Sequence, residues 1–296
     1  MRIVTRPDFD GLVCAVLLSE AEKITEPVKW VEPHEVQKKL VEIKDEDIMA
    51  NLPYDERCFM WFDHHYSNMI DKTFKGSFRI APSAAGVVFD YYSGKFKRDY
   101  TELVRETDKI DSAELSMDEV SCPEKYPYIL LSMTVSNRSM ADEQYWNRLI
   151  LLLKMHEVTD VMKDLEVRER SDAVVKENKL YKSVLMEKTV LKGHVSITDL
   201  RSFDKAPEGN RFLVYSLYPE AVVSLRIKYD DANKEKTAVS VGHSVFNRKC
   251  NVNVGSMLAK FGGGGHRGAG ACKFPSNKAD EYISEIISIL LENRSE

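Results

Sequence analysis

Residues 58–65 read Cys58-Phe59-Met60-Trp61-Phe62-Asp63-His64-His65. Five apolar residues in unbroken succession, ended by an acid and two imidazoles, describe a strand covered on both faces. That is the pattern of a central strand in a parallel sheet, whose ligands sit at the carboxyl ends of the strands. The flanking sequence agrees. Arg2-Ile3-Val4-Thr5, Val28-Lys29-Trp30-Val31 and Asp47-Ile48-Met49-Ala50 read as three further short strands. Between the first two, residues 11–22 place Leu12, Val13, Val16, Leu17 and Ala21 on one helical face, and residues 34–40 read as a short helix. Strands alternating with helices predict an α/β domain with a parallel sheet.

Further along, residues 83–92, 100–109, 142–156 and 158–188 carry helical spacing with few breakers. Residues 164–188 are dense in charge and weakly apolar, as suits a solvated helical linker. Beyond them residues 195–198, 212–218, 221–229 and 237–242 are β-like. Residues 254–261 read as a helix, 261–271 as a glycine-rich loop, 271–274 as a strand and 280–292 as a closing amphipathic helix. The expected organisation is an α/β domain over 1–163, a linker over 164–188, and a smaller mixed α+β domain over 189–296.

A chain of 296 residues with 43% hydrophobic and 30% charged residues is globular and long enough for about two domains. The same figures exclude disorder, and 14 Gly with 10 Pro exclude a fibrous fold. No apolar run approaches the ~18–20 residues that span a bilayer. Two aspartates within Met1-Arg2-Ile3-Val4-Thr5-Arg6-Pro7-Asp8-Phe9-Asp10 argue against a secretory signal. Five scattered cysteines fit reduced thiols, so a cytoplasmic location is expected. Acids exceed bases, 47 to 42, but unevenly: residues 190–296 hold 15 Lys+Arg against 12 Asp+Glu. Residues 243–274 contain Arg248, Lys249, Lys260, Arg267 and Lys273 and no acid, which points to an anionic ligand there.

Four groups could carry chemistry. Asp8-Phe9-Asp10-Gly11 follows the first strand, where two carboxylates at i and i+2 can enter one crevice, although Asp8 is also a natural helix N-cap. Asp63-His64-His65 offers oxygen and nitrogen donors suited to Mn²⁺ or another first-row divalent ion. Asp108-Lys109-Ile110-Asp111 puts acids at a helix end, against the macrodipole. Gly262-Gly263-Gly264-Gly265-His266-Arg267 frees backbone N–H groups to approach an anion.

In order and spacing, Asp8-x-Asp10-Gly11, Asp63-His64-His65, Asp108 and the distant Gly262–His266 run resemble the DHH phosphoesterase superfamily, with its associated C-terminal domain. The overall wording is similar to an exopolyphosphatase-related subgroup. The resemblance implies a metal-dependent phosphoesterase with its active site in a cleft between the two domains. It implies Mn²⁺ ligation by Asp8, Asp10, His64 and Asp108, with His65 against the scissile phosphate and Asp63 behind it. It implies that the glycine-rich run, Gly263, Gly264, Gly265 and His266, holds phosphate; Arg267 or Arg248 from the basic stretch is expected to assist. Two positions depart from the family pattern. Arg6 stands where the family has a histidine ligand, and Asn51 where it has a bridging aspartate. Arg6 lacks a lone pair for a metal and an amide is a weak ligand, so one ion is expected, with a second only if the Asp8 side is completed. Arg6 is then free to contact phosphate and takes a catalytic role.

Two functions remain open on sequence alone. One is hydrolysis of phosphate ester or anhydride bonds in a short oligonucleotide, a nucleotide bisphosphate, a cyclic dinucleotide or polyphosphate. The other is a catalytically impaired protein that binds nucleotide or short single-stranded nucleic acid. No membrane partner is expected, and a homodimer is left open.

Overall fold

Side chains alternate across a strand, so a sheet buried on both faces should sort its residues into two apolar sets. The computed structural model, which describes residues 1–135, 142–230 and 233–294, has that division. Strands β1 (Arg2–Thr5), β2 (Lys29–Trp30), β3 (Asp47–Ala50), β4 (Met60–Asp63) and β5 (Gly76–Phe78) pair in parallel in the order β2-β1-β3-β4-β5. Ile3, Ile48, Met60 and Phe62 join one apolar cluster, and Val4, Met49 and Trp61 the other. At the amino ends Asp47, fully buried, is held by Arg2 through two bonds of 2.9 and 2.7 Å.

The chain runs from β1 outward to β2 and returns to β3 on the other side of β1. This reversal opens a crevice at the carboxyl ends of β1 and β3. Thr5 registers with Ala50 and Ala50 with Phe62, so Arg6, Asn51 and Asp63 each follow that shared row by one residue.

Helix α1 (Phe9–Ala21) is buried continuously from Phe9 to Leu18. It lacks a polar face because it is packed between other elements, among them α3 (Ala84–Tyr91), α4 (Thr101–Asp111) and α7 (Glu143–Met155). The remaining helices before the second sheet are α2 (Pro33–Gln37), α5 (Met117–Ser121), α6 (Pro127–Thr134), α8 (Val158–Val161) and α9 (Leu165–Lys188). The helix expected over 158–188 is interrupted at 162–164. There the Asp164 carboxylate accepts from the backbone N–H groups of Glu166 and Val167, restarting the helix as an N-cap does.

The chain forms two compact units. One is Met1–Leu115 with Pro123–Val174; the other is Ser116–Cys122 with Val175–Glu296. The second unit holds a six-stranded sheet of β6 (Thr189–Lys192), β7 (Val195–Asp199), β8 (Val223–Tyr229), β9 (Lys236–His243), β10 (Gly264–His266) and β11 (Ala269–Pro275). Its order is β10-β11-β9-β8-β7-β6, antiparallel except for the β7–β8 pair. Helices α11 (Val254–Ala259) and α12 (Ala279–Glu292) bury Met257, Leu258, Ile283, Ile286 and Leu290 in the core of this unit. Two expectations are corrected. Residues 212–218 are helical, as α10 (Leu213–Leu217), because an apolar run this short fits either structure. The Tyr215 hydroxyl fixes the helix, bonding Gly242 O and Ser224 Oγ at 2.7 Å each. Part of the glycine-rich segment is strand β10, not loop. Among the described residues no helix is long and apolar enough to cross a membrane.

Candidate metal centre

Asp8 and Asp10 both follow β1, yet their surroundings differ. Asp8 caps α1: its Oδ1 accepts from Gly11 N at 2.9 Å and from Asn51 Nδ2 at 2.9 Å. Its Oδ2 lies 3.2 Å from Arg6 Nη1. Burial pushes the carboxyl up to about 6 while Arg6 pulls it down. The side chain keeps 30% of its surface exposed, so desolvation is partial and the group is ionised at neutral pH.

Asp10 is buried against the start of α3, where its oxygens accept from Ala84 N at 2.9 Å and Ala85 N at 2.8 Å. A helix N-terminus favours an anion. Burial and the like charges of Asp111 and Asp8 nonetheless raise its carboxyl well above the ordinary aspartate range. An acid in that state is one that a cation would relieve.

His64 follows β4 and faces this acid. Its Nδ1 is 2.9 Å from Ala81 O. A carbonyl only accepts, so Nδ1 carries a proton and Nε2 is the ring atom turned toward the acids. That Nε2 is buried without a hydrogen-bond partner, 3.7 Å from Asp10 Oδ2 and 3.4 Å from Asp111 Oδ2. The three ligand atoms lie within 4.8 Å of one another. Two hard oxygens and one imidazole nitrogen, positioned by a carbonyl behind the ring, form a donor set that fits a divalent ion.

The carboxylate that joins this group is Asp111, the last residue of α4. Asp108, one turn earlier, is engaged elsewhere: its Oδ1 accepts from Ser83 Oγ at 2.5 Å, at the N-cap of α3. The expected ligand Asp108 thus lies outside this group, and Asp111 lies within it. Both acids stand in one helix-end cluster, and the three-residue spacing on one turn was the available signal.

Asp63 is fully buried, with Oδ1 2.9 Å from His65 Nδ1 and Oδ2 accepting from Asn68 Nδ2 at 2.7 Å. The bond to Asp63 raises the pKa of His65. Asn51 sits in the left-handed region with φ 56°, and is 2% exposed. Its backbone N–H bonds Phe62 O at 3.0 Å, which seats it beside β4.

In the second unit, β10 and β11 form a glycine hairpin, pairing Gly264 with Ala271 and His266 with Ala269. Gly262 and Gly265 have φ of 76° and 151°. A Cβ on Gly263 would lie 2.3 Å from Ala271 O, and one on Gly265 2.3 Å from Ala269 O. Gly264 alone in the run has neither constraint: a Cβ there meets nothing within 4 Å. His266 and Arg267 are exposed on this hairpin, and Arg248 is exposed on the loop after β9.

The chain is 31% identical to the pGpG-specific phosphodiesterase PggH of Vibrio cholerae, over 99% of both chains with a TM-score of 0.88. It belongs to the DHH phosphoesterase superfamily. As a member it is a hydrolase. The fold recurs in more distant structures. RecJ of Thermus thermophilus in complex with Mn²⁺ matches at 11% identity and a TM-score of 0.57, covering 99% of this chain and 52% of RecJ. An exopolyphosphatase-related protein of Bacteroides fragilis matches at 14% and 0.53, covering 98% and 91%. No family model and no curated protein matches the sequence.

Proposed function

We propose that this protein is a metal-dependent phosphodiesterase that cleaves short linear dinucleotides, pGpG foremost, to mononucleotides. The observation that carries the reading is the buried, unpartnered Nε2 of His64 set between Asp10 and Asp111. A buried polar atom without a partner calls for one, and two adjacent carboxylates make that partner a cation. A purely binding protein would have no reason to keep it. The choice of substrate is supported by full-length likeness to a phosphodiesterase specific for pGpG.

Asp10, His64 and Asp111 would hold the ion, with Mn²⁺ expected from the mixed oxygen and nitrogen donors. When bound, such an ion polarises a phosphoryl oxygen and lowers the pKa of a water. The protein's own residues do the rest. Asp63 fixes the ring of His65 and raises its pKa, so the imidazole holds a proton closer to neutral pH. That proton is placed to bond a phosphoryl oxygen as negative charge develops. In the other unit the exposed His266 and Arg267 on the glycine hairpin are side-chain donors of the kind that bind phosphate.

The test is turnover of purified protein with Mn²⁺ on pGpG, a cyclic dinucleotide, a nucleotide bisphosphate and polyphosphate. Release of GMP from pGpG, lost on chelation and at least 100-fold faster than any other cleavage, is the expected result. No turnover of pGpG, or a preference for polyphosphate, would reject the assignment.

A further inference from the structure

We infer that Arg6 and Asn51 stand in for a second cation at Asp8, so that the centre takes one divalent ion and offers the Arg6 guanidinium as its other positive charge. The inference rests on the metal-dependent reading above and fixes its stoichiometry. A carboxylate has about four lone-pair positions. Asp8 commits two of them at Oδ1, to Gly11 N and Asn51 Nδ2, both at 2.9 Å, and sets Oδ2 against Arg6 Nη1 at 3.2 Å. Two N–H groups therefore occupy the Oδ1 that a cation would need, and Oδ2 is ion-paired with a fixed cation, Arg6.

The orientation of Asn51 is not arbitrary. Turning its amide over would set Oδ1 against the carboxylate of Asp8, so Nδ2 faces the acid and Oδ1 is left buried without a partner. The residue is locked in the left-handed region at φ 56° with its backbone N–H on Phe62 O, which leaves the amide little freedom to turn away.

The other His and Asp grouping does not make a second site. Among the described residues two groups have metal-ligand spacing, Asp10-His64-Asp111 and Asp63-His64-His65, and Asp8 is in neither. The second group is already accounted for by its internal bond between Asp63 and His65 and by the Asn68 amide on Asp63. Both groups also call on the same imidazole, whose Nδ1 is spent on Ala81 O.

Arg6 is suited to the alternative task. Its side chain is 36% exposed, its Nη1 is anchored on Asp8, and its Nε is 3.7 Å from Glu32 Oε2 without forming a hydrogen bond. A guanidinium so tethered presents further N–H groups to a phosphoryl oxygen without a metal behind them.

Mn²⁺ content after saturation and dialysis, with electron paramagnetic resonance of the bound ion, tests this directly. The wild type should hold one ion per chain with the spectrum of an isolated Mn²⁺. An Arg6→His, Asn51→Asp double variant removes the guanidinium and supplies two donors, and should rise to two ions with a spin-coupled spectrum. Two coupled ions in the wild type would overturn the inference while leaving the metal reading intact. So would a double variant that melts like the wild type and stays at one ion. No bound ion in the wild type would remove the metal reading itself. The wild-type count decides the matter even where the variant fails to fold.

Discussion

The acidic cluster on the parallel sheet and the glycine hairpin of the mixed sheet are built from opposite materials. In the cluster, acidic and imidazole side chains converge and the backbone positions them: Ala81 O aims His64, and the amides of Ala84 and Ala85 hold Asp10. In the hairpin the backbone itself makes the packing: Gly262 N and Gly263 N bond Ala259 O and Leu258 O, and a Cβ at Gly263 or Gly265 would collide with β11. Three of its four consecutive glycines are required by conformation or close approach, and Gly264 is not. The difference teaches where a substitution will register. A change in the cluster should alter function with little effect on folding. In the hairpin most changes should alter folding first, and one position should separate the two.

The largest effect should come from His64→Ala. Removing the one nitrogen donor should lower Mn²⁺ affinity and reduce turnover by at least about 10³-fold, with a Tm for the metal-free protein close to wild type. Calorimetric Mn²⁺ titration beside kinetics measures both. Retained Mn²⁺ affinity would break the description of the cluster as a side-chain site.

Next is the pair on α4. Asp111→Asn should cost roughly 10²-fold in turnover, since an amide is the poorer ligand. Asp108→Asn should act mainly on stability, through the lost bond to Ser83 at the start of α3. A kinetic deficit larger for Asp108→Asn than for Asp111→Asn would return the role to Asp108.

The hairpin gives the third contrast. Gly265→Ala imposes a side chain at φ 151° and 2.3 Å from Ala269 O. It should destabilise by about 1–3 kcal/mol, lowering Tm by roughly 4–12 °C. Gly264→Val meets no such contact and should melt like wild type, yet bind pGpG at least about tenfold more weakly, because the side chain blocks close approach of a phosphate. Equal affinity would leave the hairpin only a packing role.

The smallest effect is a pH dependence. The Asp10 carboxyl is raised above its unfolded value, by burial first and then by Asp111 and Asp8. The metal-free protein therefore loses stability as pH rises from the ordinary aspartate range through the folded value, where the buried group must ionise. A bound cation reverses that cost, and protons compete with it. The gain in Tm on adding Mn²⁺ should be several degrees larger at pH 8 than at pH 5.5. A gain that shrinks as pH rises would place the ion elsewhere.

Much of the first unit was legible because its signals are local. A run such as Phe59-Met60-Trp61-Phe62 admits few readings, and polar residues at its carboxyl end can face only the crevice. The choice between Asp108 and Asp111 was not local. It depends on how α4 is rotated about its axis, which packing against α1 and α3 decides. Strand β10 was hidden for another reason: glycine has weak β preference, so pairing with β11 rather than composition makes it a strand. Helix α10 escapes a sequence reading because Leu213, Val214, Tyr215 and Leu217 around Ser216 suit either geometry, and the Tyr215 hydroxyl bonds run to β8 and β9.

The grip of Asp10 on Ala84 N and Ala85 N has a practical consequence. A cation held by Asp10 would be joined to these amides through a single carboxylate, and they would sense its charge without contacting it. Protonation of Asp10 weakens both bonds, and a cation draws electron density away from them. Their amide resonances and solvent exchange rates should therefore register proton, metal and vacancy as distinct states. The first turn of α3 would then be a built-in gauge of the site, readable in the native protein without substrate or label.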